Sequence, residues 1–131
     1  MSAGIHATAA PKAVGRYPHA RRVGQLLFLS GIGPRDARDD SIPADFPAQC
    51  HSVFANVRAV LEASGARWQD LVDVTVYLTD MARDFKVYNA VWAEYFPDAA
   101  SAPCRTTLGI TALPTPIAIE LKCLAVLPEG G

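Results

Sequence analysis

Residues Pro103–Val126, PCRTTLGITALPTPIAIELKCLAV, decide how this chain is read. Two β-type runs, Arg105–Ile110 and Ile117–Val126, flank a connection marked by Leu113-Pro114-Thr115-Pro116. Each run carries one charge where a plain core strand has none. Arg105 opens the first, and Glu120 sits within the second beside Ile117, Ile119 and Leu121. A carboxylate inside an apolar strand is costly unless it is paired or has a task. As a simple hairpin with an even-length loop, the runs oppose Arg105 to Lys122 and Thr107 to Glu120, all on one face. A register shift of one residue turns Glu120 away, and the pattern alone leaves that choice open.

Upstream, Val72–Leu78 alternates cleanly, with Val72, Val74, Val76 and Leu78 on one face and Asp73, Thr75 and Tyr77 on the other. Leu26–Ser30 is a short continuous apolar run, which suits a strand buried on both faces and ended by Gly31, Gly33 and Pro34. Tyr17–Val23 is a weaker strand, and residues 1–14 read as a flexible lead-in or an added edge strand. Residues 35–43 are polar with turn formers, hence a surface loop. Asp45 caps a helix through Ser64, with Cys50, Val53, Phe54, Val57, Val60 and Leu61 at helical spacing and Gly65 as the stop. Asp80 caps a second helix, whose aromatic stripe of Phe85, Tyr88, Trp92, Tyr95 and Phe96 ends at Pro97. At that spacing the stripe reads as a core face rather than a cofactor box. The order β-β-α-β-α-β-β predicts an α+β or α/β domain with helices stacked on a sheet. Two helices cover one sheet face, so the Val and Ile content of the other predicts burial by oligomerisation.

Composition narrows the function. A chain of 131 residues fits one domain, half its residues are apolar, and the net charge is −1. That balance argues against a nucleic-acid footprint, a ribonuclease role included, and no run reaches membrane-span length. The opening MSAGIHATAAPKA lacks the pattern of a signal peptide. Cys50, Cys104 and Cys123 form neither a metal spacing nor an even disulfide set, which predicts a reduced, cytoplasmic compartment. No P-loop, GxGxxG, GxSxG or HExxH is present, and His6, His19 and His51 lie far apart in sequence. Cys104 beside Arg105 reads as a packed cysteine rather than an activated thiol.

Arg105 is permanently charged and forks onto a carboxylate through two parallel hydrogen bonds, although a salt-bridged surface arginine explains it equally well. Glu120 also has two readings. It is an edge or interface acid paired to Lys122 or an arginine, or a desolvated carboxyl with a raised pKa that serves a water as base or acid.

Set in order, the motifs resemble a known family. Gly15-Arg16-Tyr17-Pro18-His19-Ala20 is similar to a GPYxxA opening, and Leu29-Ser30-Gly31 to a strand ending in SG. Gln49, Asn56, Leu61 and Gly65 follow, then Val74-Thr75-Val76-Tyr77-Leu78-Thr79-Asp80 and Phe85, Asn89, Tyr95-Phe96. Pro103-Cys104-Arg105, Leu113-Pro114 and Ile119-Glu120 complete the pattern. The chain thus resembles the reactive intermediate deaminase (RidA/YjgF) family over nearly its full length. The resemblance implies a chorismate-mutase-like fold, a mixed sheet with two helices on one face, in a homotrimer with a central barrel. It places the last strand between earlier ones, against the simple hairpin.

It also implies inter-subunit sites that hydrolyse enamines and imines to the oxo acid and ammonia, without metal or cofactor. Arg105 then clamps the substrate carboxylate and Glu120 holds or activates the water, while Tyr17, Ser30, Asn89 and Thr107 line the pocket. The chain departs from the usual pattern at Ile32, Arg16, Thr107 and Lys122. Its opening RYPHARRVG with LSGIGPRD is most similar to the 2-aminomuconate deaminases, whose substrate carries a carboxylate at each end. A second carboxylate asks for a second cation, from among Arg16, Arg35 and Lys122, with Arg35 preferred. Implied partners are a small carboxylate substrate and copies of the chain itself, with no nucleic acid and no membrane. The alternatives are a general 2-iminoacid deaminase and, from another class, a non-catalytic binding or chaperone-like trimer.

Overall fold

Glu120 lies on a strand that the chain threads into the middle of a sheet. The structure is a computed structural model and describes residues 3–128. The strands are β1 (Gly4–Ile5), β2 (Ala20–Val23), β3 (Leu26–Leu29), β4 (Leu71–Leu78), β5 (Cys104–Gly109) and β6 (Ile119–Val126), and the helices α1 (Phe46–Ala63) and α2 (Met81–Tyr95). A short 3-10 turn, Trp68–Asp70, leads into β4. The sheet order is β1-β2-β3-β6-β4-β5, with β4 and β5 parallel and every other pair antiparallel. This is the expected α+β architecture, with the lead-in supplying the edge strand β1.

The simple hairpin does not form. β4 lies between β5 and β6, so Arg105 pairs with Val74 and Thr107 with Val76, while Glu120 pairs with Tyr77 and Lys122 with Thr75. The physical reason is burial. Ile119, Leu121, Cys123 and Ala125 on β6 need apolar neighbours on both sides, and β3 and β4 supply them. The Thr-rich β5 is left at the edge, where polar side chains cost least.

The helices follow their caps. Asp45 accepts from the Ala48 amide at 2.8 Å and Asp80 from the Arg83 amide at 3.1 Å, each satisfying an orphan donor of the first turn. Gly65, at φ +76°, turns the chain after α1, in a left-handed conformation that suits glycine. Val53, Phe54, Val57, Val60 and Leu61 of α1 are buried against one sheet face, each apolar side chain contributing about 1.5–3 kcal/mol. Phe54 is the hub, its ring centroid 4.3 Å from that of Tyr95 and within 6.3 Å of those of Trp68, Tyr88, Trp92 and Phe96.

The other sheet face is open. Leu27 and Leu29 are buried but Leu26 and Phe28 are exposed, so in one chain β3 is covered on one face only and not on both. Val23, Leu26, Phe28, Leu124 and Val126 form an apolar strip there. Val72 is also exposed. A bulge between Leu71 and Asp73 breaks the alternation expected over Val72–Leu78, so Leu71 takes the buried position instead.

Candidate active site

The expected site residues fall into two groups on opposite faces of the sheet. Glu120 lies on the open face, between the buried Ile119 and Leu121. After β3 the chain runs on beside β6, where Ile32 and Leu121 exchange backbone hydrogen bonds of 2.8 and 2.9 Å. That bridge lays Gly31 over the Glu120 carboxyl, so a Cβ at position 31 would come within 2.7 Å of Oε2. A side chain at position 31 would therefore displace the Glu120 carboxyl from its place.

Glu120 is half-buried and forms no ion pair or hydrogen bond among the described residues. Lys122 donates instead to the Leu29 carbonyl, so the expected pairing with Glu120 does not occur. Burial pushes the Glu120 pKa above the usual carboxylate value.

A cavity of about 160 Å³ opens beside this carboxyl, and Tyr17, Ser30 and Arg35 also line it. Ser30 Oγ donates to the Pro18 carbonyl at 2.7 Å, which leaves its lone pairs for a donor in the cavity. Arg35 donates to Asp40 Oδ1 at 2.9 Å and to the Lys12 carbonyl. Asn56 of α1 holds the loop in place, its Nδ2 donating to the carbonyls of Gly33 at 2.9 Å and Arg35 at 2.8 Å. Residues 10–14 form the opposite wall. His19 ties that strap down, with Nδ1 accepting from the Ala7 amide at 2.8 Å and Nε2 donating to the Pro11 carbonyl at 2.7 Å.

Arg105 lies on the helix-covered face, as its pairing with the buried Val74 dictates. Its guanidinium carbon is 5.0 Å from the Trp92 ring centroid, 5.7 Å from that of Tyr88 and 5.9 Å from that of Phe85. Nη2 donates to Asn89 Oδ1 at 2.9 Å, and Thr107 follows on the same face. No carboxylate pairs with Arg105 among the described residues, so the salt-bridged surface arginine is not what the chain contains. Cys104 is exposed and faces the other way, with Asp73, and is not a packed cysteine. Cys50 and Cys123 are buried, and burial raises both thiols to about 12, where they are inert at neutral pH.

Within one chain these groups do not meet. Arg105 and Glu120 are two strands apart, offset by three residues and on opposite faces, which is about 10 Å in each direction before the side chains diverge. Of the three candidate second cations, only Arg35 shares the Glu120 cavity. Arg16 lines a separate surface groove with Tyr17 and Arg21, and Lys122 is held at Leu29. Among the described residues, no three His, Cys, Asp or Glu side chains cluster as metal ligands would.

Residues 7–127 match the family model described as Endoribonuclease L-PSP. The chain belongs to this family, known also as RidA/YjgF. A RutC family protein of Pyrococcus horikoshii is 39% identical over 117 residues, covering 88% of this chain and 90% of the relative. The 2-iminobutanoate/2-iminopropanoate deaminase of Escherichia coli K12 is 33% identical over 127 residues, covering 96% and 98%. The crystal structure of the Escherichia coli YjgF gene product superposes with a TM-score of 0.88 at 32% identity, covering 95% of this chain and 98% of that one. The RidA/YjgF fold therefore extends over nearly the whole chain.

In the sequence His19 stands as a motif letter and as one of three scattered histidines, and Asn56 as a motif letter, while the backbone acceptors they serve lie 8 to 23 residues away. The aromatic stripe was read as core alone. Phe85 was the available signal, since it begins the stripe yet is 37% exposed.

Proposed function

We propose that this chain is a hydrolytic deaminase of enamines and imines, acting as a homotrimer whose sites form between neighbouring chains. The observation that carries the reading is Glu120, a half-buried carboxyl with no ion-pair partner among the described residues, set beside a cavity with Ser30, Arg35 and Tyr17. A buried acid left unpaired is poised to take and return a proton. The apolar strip on the open face gives a neighbouring chain a reason to dock. Such docking is also the route by which one chain's Arg105 reaches another's Glu120. The Escherichia coli relative is named for 2-iminobutanoate and 2-iminopropanoate, which supports the reaction class.

The chemistry needs little else. Arg105 and Asn89 hold the substrate carboxylate and fix the imine carbon. Water adds to the carbon of the protonated imine while Glu120 takes its proton, giving a neutral carbinolamine. Protonated Glu120 gives that proton to the nitrogen, and as the C–N bond breaks and the C=O forms Glu120 takes the hydroxyl proton; the oxo acid and ammonia leave, the last proton departing as ammonium. No covalent nucleophile takes part.

Within this class the preferred substrate is 2-aminomuconate. Protonation at carbon converts this enamine to its imine, and hydrolysis yields 2-oxo-3-hexenedioate (4-oxalocrotonate) and ammonia. Arg35 supports the choice, being a cation in the Glu120 cavity where a second carboxylate would reach. The runner-up is a general deaminase of small 2-iminoacids, favoured by the name of the Escherichia coli relative. Ammonia release from enzymatically generated 2-aminomuconate, compared with 2-iminopropanoate, decides between them. A higher kcat/KM on the diacid supports the first choice, and a preference for 2-iminopropanoate selects the second. Release from neither leaves a binding protein.

A further inference from the structure

The aromatic stripe of α2 faces Arg105. Phe85, Tyr88, Asn89 and Trp92 stand at i, i+3, i+4 and i+7, one face of the helix, and all four approach the guanidinium. A stripe with only a packing task would bury every ring. Instead Tyr88 is fully buried while Phe85 stays 37% exposed at the outer end.

An arginine on an edge strand has a long, mobile stem, and a substrate clamp built from it loses that freedom on binding. A carboxylate partner would hold it still, but would also neutralise the charge and occupy the donors that the substrate needs. Aromatic faces do neither. They attract the cation through the ring quadrupole and leave the N–H groups free. Asn89 takes one donor of the five, and among the described residues no acid takes another. Trp92 is the nearest ring and the strongest of the three types for this interaction. It is itself braced, with ring centroids 4.4 Å from Phe96 and 6.1 Å from Tyr88.

We propose that Trp92 is a positioning residue for Arg105, holding the guanidinium by its ring face, with Phe85 and Tyr88 completing the cradle. This rests on Arg105 being the group that receives the substrate carboxylate. The device orients the clamp without touching the substrate, so its removal acts on carboxylate binding and not on the proton transfers at Glu120.

The test keeps the shape of the ring and changes only its electronics. Trp92 is replaced site-specifically by mono-, di- and tetrafluorinated tryptophan, and KM, kcat and Tm are measured with 2-iminopropanoate generated in situ. KM should rise stepwise, by about tenfold at tetrafluorination, with kcat within about twofold and Tm unchanged. The same series at Trp68, which stacks with Arg58 at 4.7 Å away from Arg105, should leave KM unchanged. A constant KM across the Trp92 series, or a fall in Tm and kcat at constant KM, overturns the positioning role. Arg105→Ala, assayed alongside, separates the two readings. If it is inactive while fluorination has no effect, only the Trp92 proposal falls. If it retains full activity, the reading of the site falls as well.

Discussion

Glu120 and Arg105 lie on one sheet without an ion-pair partner among the described residues, and they are held by opposite means. Glu120 is enclosed by backbone, with Gly31 above it and the strap of residues 10–14 across the cavity. Arg105 is enclosed by rings. Backbone enclosure without a donor desolvates an acid and raises its pKa. Ring enclosure fixes a cation's orientation and leaves its donors available. One environment suits a group that must titrate, the other a group that must stay charged and keep still.

The sharpest way to break this contrast is to delete the cation. Arg105→Ala should lower kcat/KM for 2-iminoacids by about a thousandfold or more while the oligomer, measured by light scattering, stays intact. Full activity in that variant would remove the clamp from the account. Glu120→Gln should come next, with kcat lower by about a hundredfold or more and KM little changed, because in the proposed mechanism the acid serves the water and the proton.

The same residue gives a pH signature. In the proposed mechanism the working form is the carboxylate, so activity should fall as pH drops through a midpoint above the ordinary 4.5. For stability the sign is opposite. A carboxyl whose folded pKa is raised stabilises the fold when protonated, and that contribution is lost as pH rises through the raised value. Glu120→Gln should therefore be the more stable protein at neutral pH, as thermal melts at two pH values would show.

Arg35→Ala should be milder and selective. KM should rise about tenfold for the six-carbon diacid and stay unchanged for 2-iminopropanoate, and equal losses on both would end its proposed role. The smallest effect belongs to Tyr88. Its hydroxyl is buried with no hydrogen-bond partner among the described residues, so Tyr88→Phe keeps the ring and removes an unsatisfied group. Stability should hold or improve by about 1 kcal/mol, and a clear loss would mean the hydroxyl is satisfied in the assembled protein.

Much of this was legible in the sequence, for identifiable reasons. Asp45 and Asp80 cap the helices where the letters place them, and Glu120 stands out because an acid among isoleucines needs an explanation. Sheet order was not legible from the pattern. Adjacent runs suggest a hairpin, and only the two-sided burial of Ile119, Leu121, Cys123 and Ala125 explains why β6 inserts between β3 and β4. Val72 misled because a bulge resets alternation without leaving a mark in the letters. The letters offer Arg35 only as a candidate second cation just past the SG turn; its place in the Glu120 cavity and its tether at Lys12 depend on a contact 23 residues away. The separation of Arg105 from Glu120 follows from register, which a period-two pattern does not fix.

The central claim is that the acid of one chain serves the cation of another. Arg105→Ala and Glu120→Gln chains, each inactive alone, can be unfolded, mixed in equal amounts and refolded together. If each site draws the two groups from different chains of a trimer, random mixing restores one intact site in every mixed trimer, about a quarter of wild-type activity overall. Activity no higher than that of the separate variants would contradict the shared site.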